Sequence, residues 1–257
     1  MKVIRPNCRA QFTPADFNFI AESLWKAKES GENTPDLKIP APNNSNLILR
    51  LCQEEDSVDS LLDSPVLYRE LLNQKNCLSI SMHLYFYVLV RHALCREEIA
   101  NRELADYIAE VLAEYALIAR LRNQTKNEFS PLDYLFEMIL EMDKLPEMER
   151  FSMASHIGNY ALFLSGLYPN RLLHQSERRG APGFQYYEEI GSAYFKMAEQ
   201  HSLARKFDLV SIYHCLGEDF HTTRLALNEI SEKVFFMETN RAVIDLFKEI
   251  DKGPGFQ

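Results

Sequence analysis

The apolar residues of this chain recur at the spacing of an α-helix, and no stretch alternates apolar and polar residues beyond four positions. Between residues 102 and 120 the apolar residues recur at every third or fourth position, and acidic residues occupy the opposite side. This arrangement is typical of an amphipathic helix. Nine glycines and eleven prolines among 257 residues are too few for the turns of an all-β protein. The sequence therefore predicts an all-α fold, a multi-helix bundle of about eight or more helices.

Capping residues and prolines mark several helix boundaries. Thr13 followed by Pro14 begins a helix, because the hydroxyl caps free amides and proline is tolerated at the first helical position. Pro65 separates two short helical pieces, since proline disfavours helical geometry in the residue before it. The spacing of apolar residues predicts longer helices over 78–95, 102–120, 131–142, 146–167, 185–199, 202–216, 219–237 and 240–251.

The N-terminal part looks less regular than the remainder. Residues 31–46 concentrate proline, asparagine and glycine, which predicts a loop or an extended arm. We therefore expect one domain over 1–257, with an irregular helical N-terminal region over 1–76 and a helical bundle core over 77–251.

Two segments are nearly apolar on every side. Residues 78–95 predict a central helix surrounded by other helices. Residues 151–170 have the length of a membrane span, but several polar residues within them favour a buried helix. Small residues punctuate two of the helices and predict a close approach of the helix axes. They are Gly158, Ala161, Ser165 and Gly166 on one helix, and Gly191 and Ala193 on another.

Charge and cysteine content narrow the partners and the compartment. The formal net charge of −9 disfavours nucleic acid and an anionic membrane, because binding to either depends on Lys and Arg. Five widely spaced cysteines form no C-x-x-C pair, which favours reduced thiols in a cytoplasm. The N-terminus has no apolar stretch typical of a signal peptide, so we expect a soluble cytoplasmic protein.

One group of residues has the spacing of a metal site. His214, Glu218 and His221 lie at i, i+4 and i+7, and Glu-x-x-His is the helical motif of non-haem metal bundles. The motif occurs only once, although a di-iron bundle needs it twice. Gly217 also lies within the triplet and favours the end of a helix. The alternative is that His214 lies at the edge of the core and the other two are solvated.

A second group combines imidazole and phenol side chains. When such groups are buried in a helical bundle they need hydrogen-bond partners, which a ligand pocket can provide. These candidate ligand-binding residues are His83, Tyr87, His156 and Tyr160. A third candidate is the basic segment that contains Arg178 and Arg179, whose guanidinium groups suit a carboxylate or phosphate. The alternatives are satisfied core polar groups for the second group and a solvated loop for the third.

One part of the chain resembles a known family. The run GNYALFLSGLYP over residues 158–169 is followed by Tyr186-Tyr187 and by Gly191-Ser192-Ala193-Tyr194. A later Leu-Asn-Glu lies at 227–229. These features resemble a family of uncharacterised bacterial all-helical proteins, over residues 100 to 235. The resemblance implies a helical fold and assigns no activity, no cofactor and no functional residues.

Two classes of function follow from these observations. No catalytic sequence motif is present, which favours a non-catalytic interaction or regulatory module that binds another protein or a second copy of itself. The alternative is a metal-dependent enzyme or small-molecule binder of the haem-oxygenase-like or ferritin-like type. The sequence does not identify a cofactor.

Overall fold

The computed structural model describes residues 3–29, 31, 55–73, 80–125, 135–179 and 182–236. The side chains of 55–57, 117–125, 171, 175, 178, 179 and 234–236 lie outside this description. The described ranges contain one short 3-10 helix and twelve α-helices, with no strand among them, which confirms the predicted all-α fold.

The 3-10 helix spans Arg9–Gln11. The α-helices in chain order are α1 (Pro14–Glu29), α2 (Glu55–Leu62), α3 (Pro65–Asn73), α4 (Met82–Arg96), α5 (Arg102–Thr125), α6 (Leu135–Met142), α7 (Glu147–Leu167), α8 (Pro169–Arg179), α9 (Phe184–Gln200), α10 (Ser202–Lys206), α11 (Val210–Glu218) and α12 (Phe220–Phe236). The predicted helix over 240–251 lies outside the described residues, as does the predicted loop over 31–46 apart from Gly31.

The predicted single helix over 202–216 is wrong, because the chain turns between α10 and α11. Asp208 has a φ of +56°, in the left-handed region. The amide of Leu209 donates to the carbonyl of Ala204 at 2.8 Å, and the Leu209 side chain is buried. This hydrogen bond closes the end of α10 in the manner usually marked by glycine. Aspartate tolerates the same conformation, so no glycine in the sequence announces the break.

Helix α7 lies at the centre of the structure. Fourteen of its residues are buried, and it packs against α6, α9 and α12. Helix α4 has ten buried residues and packs against α3, α5 and α12. Both segments that the sequence predicts to be surrounded by other helices are therefore in the core. Within the described ranges, no helix is both long and apolar enough to cross a membrane.

The small residues permit the predicted close approach of helices. A Cβ atom added at Gly158 of α7 lies 2.9 Å from the Phe195 ring of α9. At Gly191 of α9 the added atom lies 2.1 Å from the ring of Phe220, the first residue of α12. Real Cβ contacts essentially never fall below 3.0 Å. These positions therefore admit the aromatic rings because they carry no side chain.

Helix α12 also caps the end of α7. The Asn228 side-chain amide donates to the carbonyls of Ser165 and Gly166, at 2.8 and 2.7 Å. The Ser231 hydroxyl donates to the carbonyl of Leu167 at 2.7 Å. Carbonyls in the last turn of a helix have no intrahelical partner. The side chains of α12 supply these acceptors with donors.

The acidic side of α5 is not simply a solvent face. Asp106 and Glu110 are buried, because the segment that precedes α1 lies over them. The Asp106 carboxylate accepts hydrogen bonds from the backbone amides of Cys8 and Arg9, at 3.1 and 2.8 Å. The Arg9 guanidinium forms an ion pair with the Asp59 carboxylate of α2, with an N–O distance of 2.9 Å. Burial and these contacts attach the N-terminal segment and α2 to α5.

Gly191→Ala should lower the free energy of unfolding by about 1–3 kcal/mol, because the new methyl group overlaps the Phe220 ring. Thermal and denaturant unfolding measure the effect. Gly183→Ala is the matched control, since its added Cβ atom lies 3.6 Å from the nearest neighbour, the Ser176 hydroxyl. Equal stability of the two variants would show that α9 and α12 do not meet as described.

Candidate functional site

The three residues of the metal hypothesis are directed away from a common centre. Helix α11 ends at Glu218, and His221 belongs to α12, so the triplet does not share one continuous helical face. Each residue instead pairs with α9: His214 with Glu199 at 3.1 Å, Glu218 with Lys196 at 3.0 Å, and His221 with Glu188 at 2.9 Å. The described residues hold no group of three or more His, Cys, Asp or Glu side chains suited to a metal ion.

The candidate ligand-binding residues lie in two separate places. Tyr87 packs its ring against Phe12 at a centroid distance of 5.9 Å, and His83 lies 3.6 Å from the Glu110 carboxylate. Both belong to α4 and face the N-terminal segment and α5. On α7, His156 and Tyr160 stack at a centroid distance of 6.3 Å. The structure therefore brings these residues together as pairs rather than as one set of four.

A pocket of about 360 Å³ lies beside the N-terminal segment. Its lining residues are Pro6, Asn7, Arg9, Ala10, Phe12, Phe17, Val58, Asp59 and Asp106. None of the four candidate ligand residues is among them. The Asp59 and Asp106 carboxylates already form ion pairs with Arg9, so the charged groups of this pocket pair with one another.

His156 of α7 is partly buried and faces α5. Its Nδ1 atom is 3.4 Å from the Tyr115 hydroxyl. Burial disfavours the imidazolium form and lowers the pKa of His156 to about 4. Burial also raises the pKa of Tyr115 well above its ordinary value. Both groups are therefore neutral near pH 7, which suits a core contact.

The basic segment is helical up to Arg179. Helix α8 extends through Arg178 and Arg179, so both residues are helical in their backbone. Their side chains lie outside the described residues, as does the side chain of Arg171. The anion-binding hypothesis for this segment stays a prediction.

An exposed apolar face on α6 is the feature that the sequence analysis missed. Phe136 and Leu140 lie one turn apart on this helix and are 62% and 53% exposed. The opposite face of α6 is buried through Leu135, Met138 and Met142. Met148, in the first turn of α7, is 67% exposed. We group Phe136 and Leu140 with Met148, which follows the turn at residues 143–146, under the name α6–α7 apolar surface.

This surface differs from the other exposed apolar side chains. Leu173, Met197 and Leu225 are the remaining large examples among the described residues, and each lies on a different helix. Single exposed apolar residues are ordinary on a protein surface, whereas a group of them marks an interaction site. A sequence signal for this group exists in LFEMILEM over 135–142, where six of eight residues are apolar. Such a composition exceeds the single stripe of a helix with one buried face.

Acidic residues flank the α6–α7 apolar surface. Residues 135–150 contain five of them, Glu137, Glu141, Asp143, Glu147 and Glu149, against two basic residues, Lys144 and Arg150. Lys144 pairs with Glu141 at 2.6 Å. Arg150 donates to the carbonyls of Leu145 and Asp143, at 2.7 and 3.0 Å. Both cations therefore form contacts within the turn between α6 and α7, and acidic residues remain in excess in this segment.

The described ranges thus define an all-α protein with an apolar surface bordered by acidic residues. The chain matches no protein-family model, no curated protein and no solved structure.

The His156 imidazole should stay neutral as the pH falls from 7 and should gain its proton only near pH 4. An unfolded histidine titrates near pH 6.5, so the unfolded chain binds more protons between these values. The stabilising contribution is full above about pH 6.5 and is lost as the pH falls towards 4. NMR titration of the ring protons, assigned with His156→Gln, measures the pKa. Titration of this ring near pH 6.5 would contradict its burial.

Proposed function

We propose that this protein is a non-catalytic interaction module that binds a partner protein through the α6–α7 apolar surface. The observation that carries the proposal is the exposure of Phe136 and Leu140 on one face of a helix whose other face is already buried. Full burial of such a side chain contributes about 1.5–3 kcal/mol. Two of them at the centre of an interface supply the anchor that protein–protein contacts typically use.

The surface is held in place before a partner arrives. Leu135, Met138 and Met142 fix α6 to the core, and Arg150 closes the turn that follows it. An ordered surface loses little conformational entropy on binding, which increases the net affinity. Rigid presentation therefore supports a docking role for these residues.

The contacts of the histidine and glutamate side chains support a non-catalytic role. The His214, Glu218 and His221 side chains pair with α9, and the His156 ring stacks on Tyr160. An acid–base or metal centre requires such groups to converge on one reacting position. In the described part of the chain, they are distributed among separate structural contacts.

We place the protein in a bacterial cytoplasm. Cys8, Cys95 and Cys215 are free thiols, which is typical of a reducing compartment. The bacterial assignment rests on the resemblance of residues 100–235 to a bacterial helical family.

Site-specific photo-cross-linking in cells that naturally express the protein tests the interaction. A photoreactive phenylalanine analogue at Leu140 should give one discrete protein adduct, and the adduct should disappear when Phe136→Ser is added. The same analogue at Leu225, an exposed position on α12, is the matched control and should give no such adduct. Absence of an adduct at Leu140, or the same adducts at both positions, would contradict the proposed function.

A further inference from the structure

The charge around the α6–α7 apolar surface defines the kind of partner. Because a partner should complement both the apolar residues and the acidic residues around them, we infer that it presents a basic amphipathic helix. Such a helix has apolar residues on one face and Lys or Arg beside them. The inference rests on the proposed function and adds the chemical class of the partner.

The acidic border is the first observation behind this inference. Glu137, Asp143 and Glu149 form no ion pair within the described ranges, so their charges remain available to a partner. Lys144 is already paired with Glu141. Complementary charges accelerate encounter and exclude wrong partners, whereas like charges brought together cost energy. The border therefore favours a partner that carries Lys or Arg.

The shape of the surface is the second observation. Phe136 and Leu140 are separated by one turn of α6, and together they form a short apolar ridge along the helix. A second helix packs on such a ridge with apolar residues spaced at i, i+3 or i+4, and i+7. Its flanking positions then face the acidic border, which sets the preference for Lys and Arg at those positions.

The same charges disfavour two other occupants. A second copy of this chain would bring one acidic border against another, within a protein of net charge −9. An anionic membrane attracts apolar surfaces that are bordered by Lys and Arg, which is the opposite pattern. A basic helix is thus the occupant that satisfies both the apolar ridge and its border.

Fluorescence anisotropy with a labelled model peptide tests the inference on the full chain. The probe is an amphipathic Leu/Lys helix of about 18 residues, or five turns. One comparison peptide has every Lys replaced by Glu, and another has the same composition in scrambled order. We expect the Leu/Lys peptide to bind at least about tenfold more tightly than either one, because only it satisfies both features. Binding should also weaken as salt is raised from about 0.05 to about 0.3 M.

Variants of the protein locate the binding to this surface. Phe136→Ser combined with Leu140→Ser should weaken binding by about tenfold or more. Glu137→Gln combined with Glu149→Gln should reduce the dependence on salt. Leu225→Ser, on α12, should leave binding unchanged, and circular dichroism verifies that each variant is folded.

Equal binding of the three peptides, or unchanged binding by the Phe136 and Leu140 variant, would overturn the inference. Sedimentation provides a further test, since a dimer that is lost in the Phe136 and Leu140 variant would show that a second copy covers the surface. Failure of the peptide to bind, together with a specific cross-link at Leu140, would reject the basic helix and leave the proposed function standing. A missing cross-link at Leu140 would count against the proposed function instead.

Discussion

The close approach of α7 to α9, and of α9 to α12, is the constraint on which the remaining structure depends. The Phe195 ring of α9 lies against Gly158, and the Phe220 ring of α12 lies against Gly191. Helix α12 also places Asn228 and Ser231 against the last carbonyls of α7. Helix α7 is thereby enclosed on two sides and satisfied at its C-terminal end. Helix α6 packs on α7 with one face, and its other face stays apolar and exposed. The candidate docking surface is thus a consequence of how the central helix is packed.

Polar groups inside the protein mainly connect helices. The Tyr107 hydroxyl donates to the Asn159 side chain at 3.1 Å, and the hydroxyls of Ser155 and Tyr213 lie 2.8 Å apart. These contacts join α5, α7 and α11 within the core, where a buried polar group without a partner is costly. At the N-terminal segment, Asp106 plays a similar part by accepting two backbone amides. The same residue types that suggest chemistry in the sequence therefore stabilise the packing.

Sequence periodicity predicts most of the described helices, because an apolar stripe and a proline both act locally. Tertiary contacts determine the features that periodicity does not predict. The end of α10 is closed by Asp208 in a left-handed conformation, which residue type alone does not reveal. Periodicity separates polar from apolar sides of α5, but it does not show that the N-terminal segment covers Asp106. The spacing of His214 and His221 suggests one shared face only if the helix is continuous, and the chain turns between them. For α6, an eight-residue helix with two apolar faces, only the packing on α7 shows which face is exposed.

Methionine oxidation tests most directly whether the α6–α7 apolar surface is free and then becomes covered by a partner. Met148 and Met197 are 67% and 48% exposed, whereas Met138 and Met153 are 1% and 5% exposed. With dilute peroxide and mass spectrometry, the isolated protein should oxidise quickly at the two exposed positions and slowly at the two buried ones. Addition of a saturating basic amphipathic helix should protect Met148 and leave Met197 unchanged. Slow oxidation of Met148 in the isolated protein, or equal protection of both exposed methionines, would contradict this account.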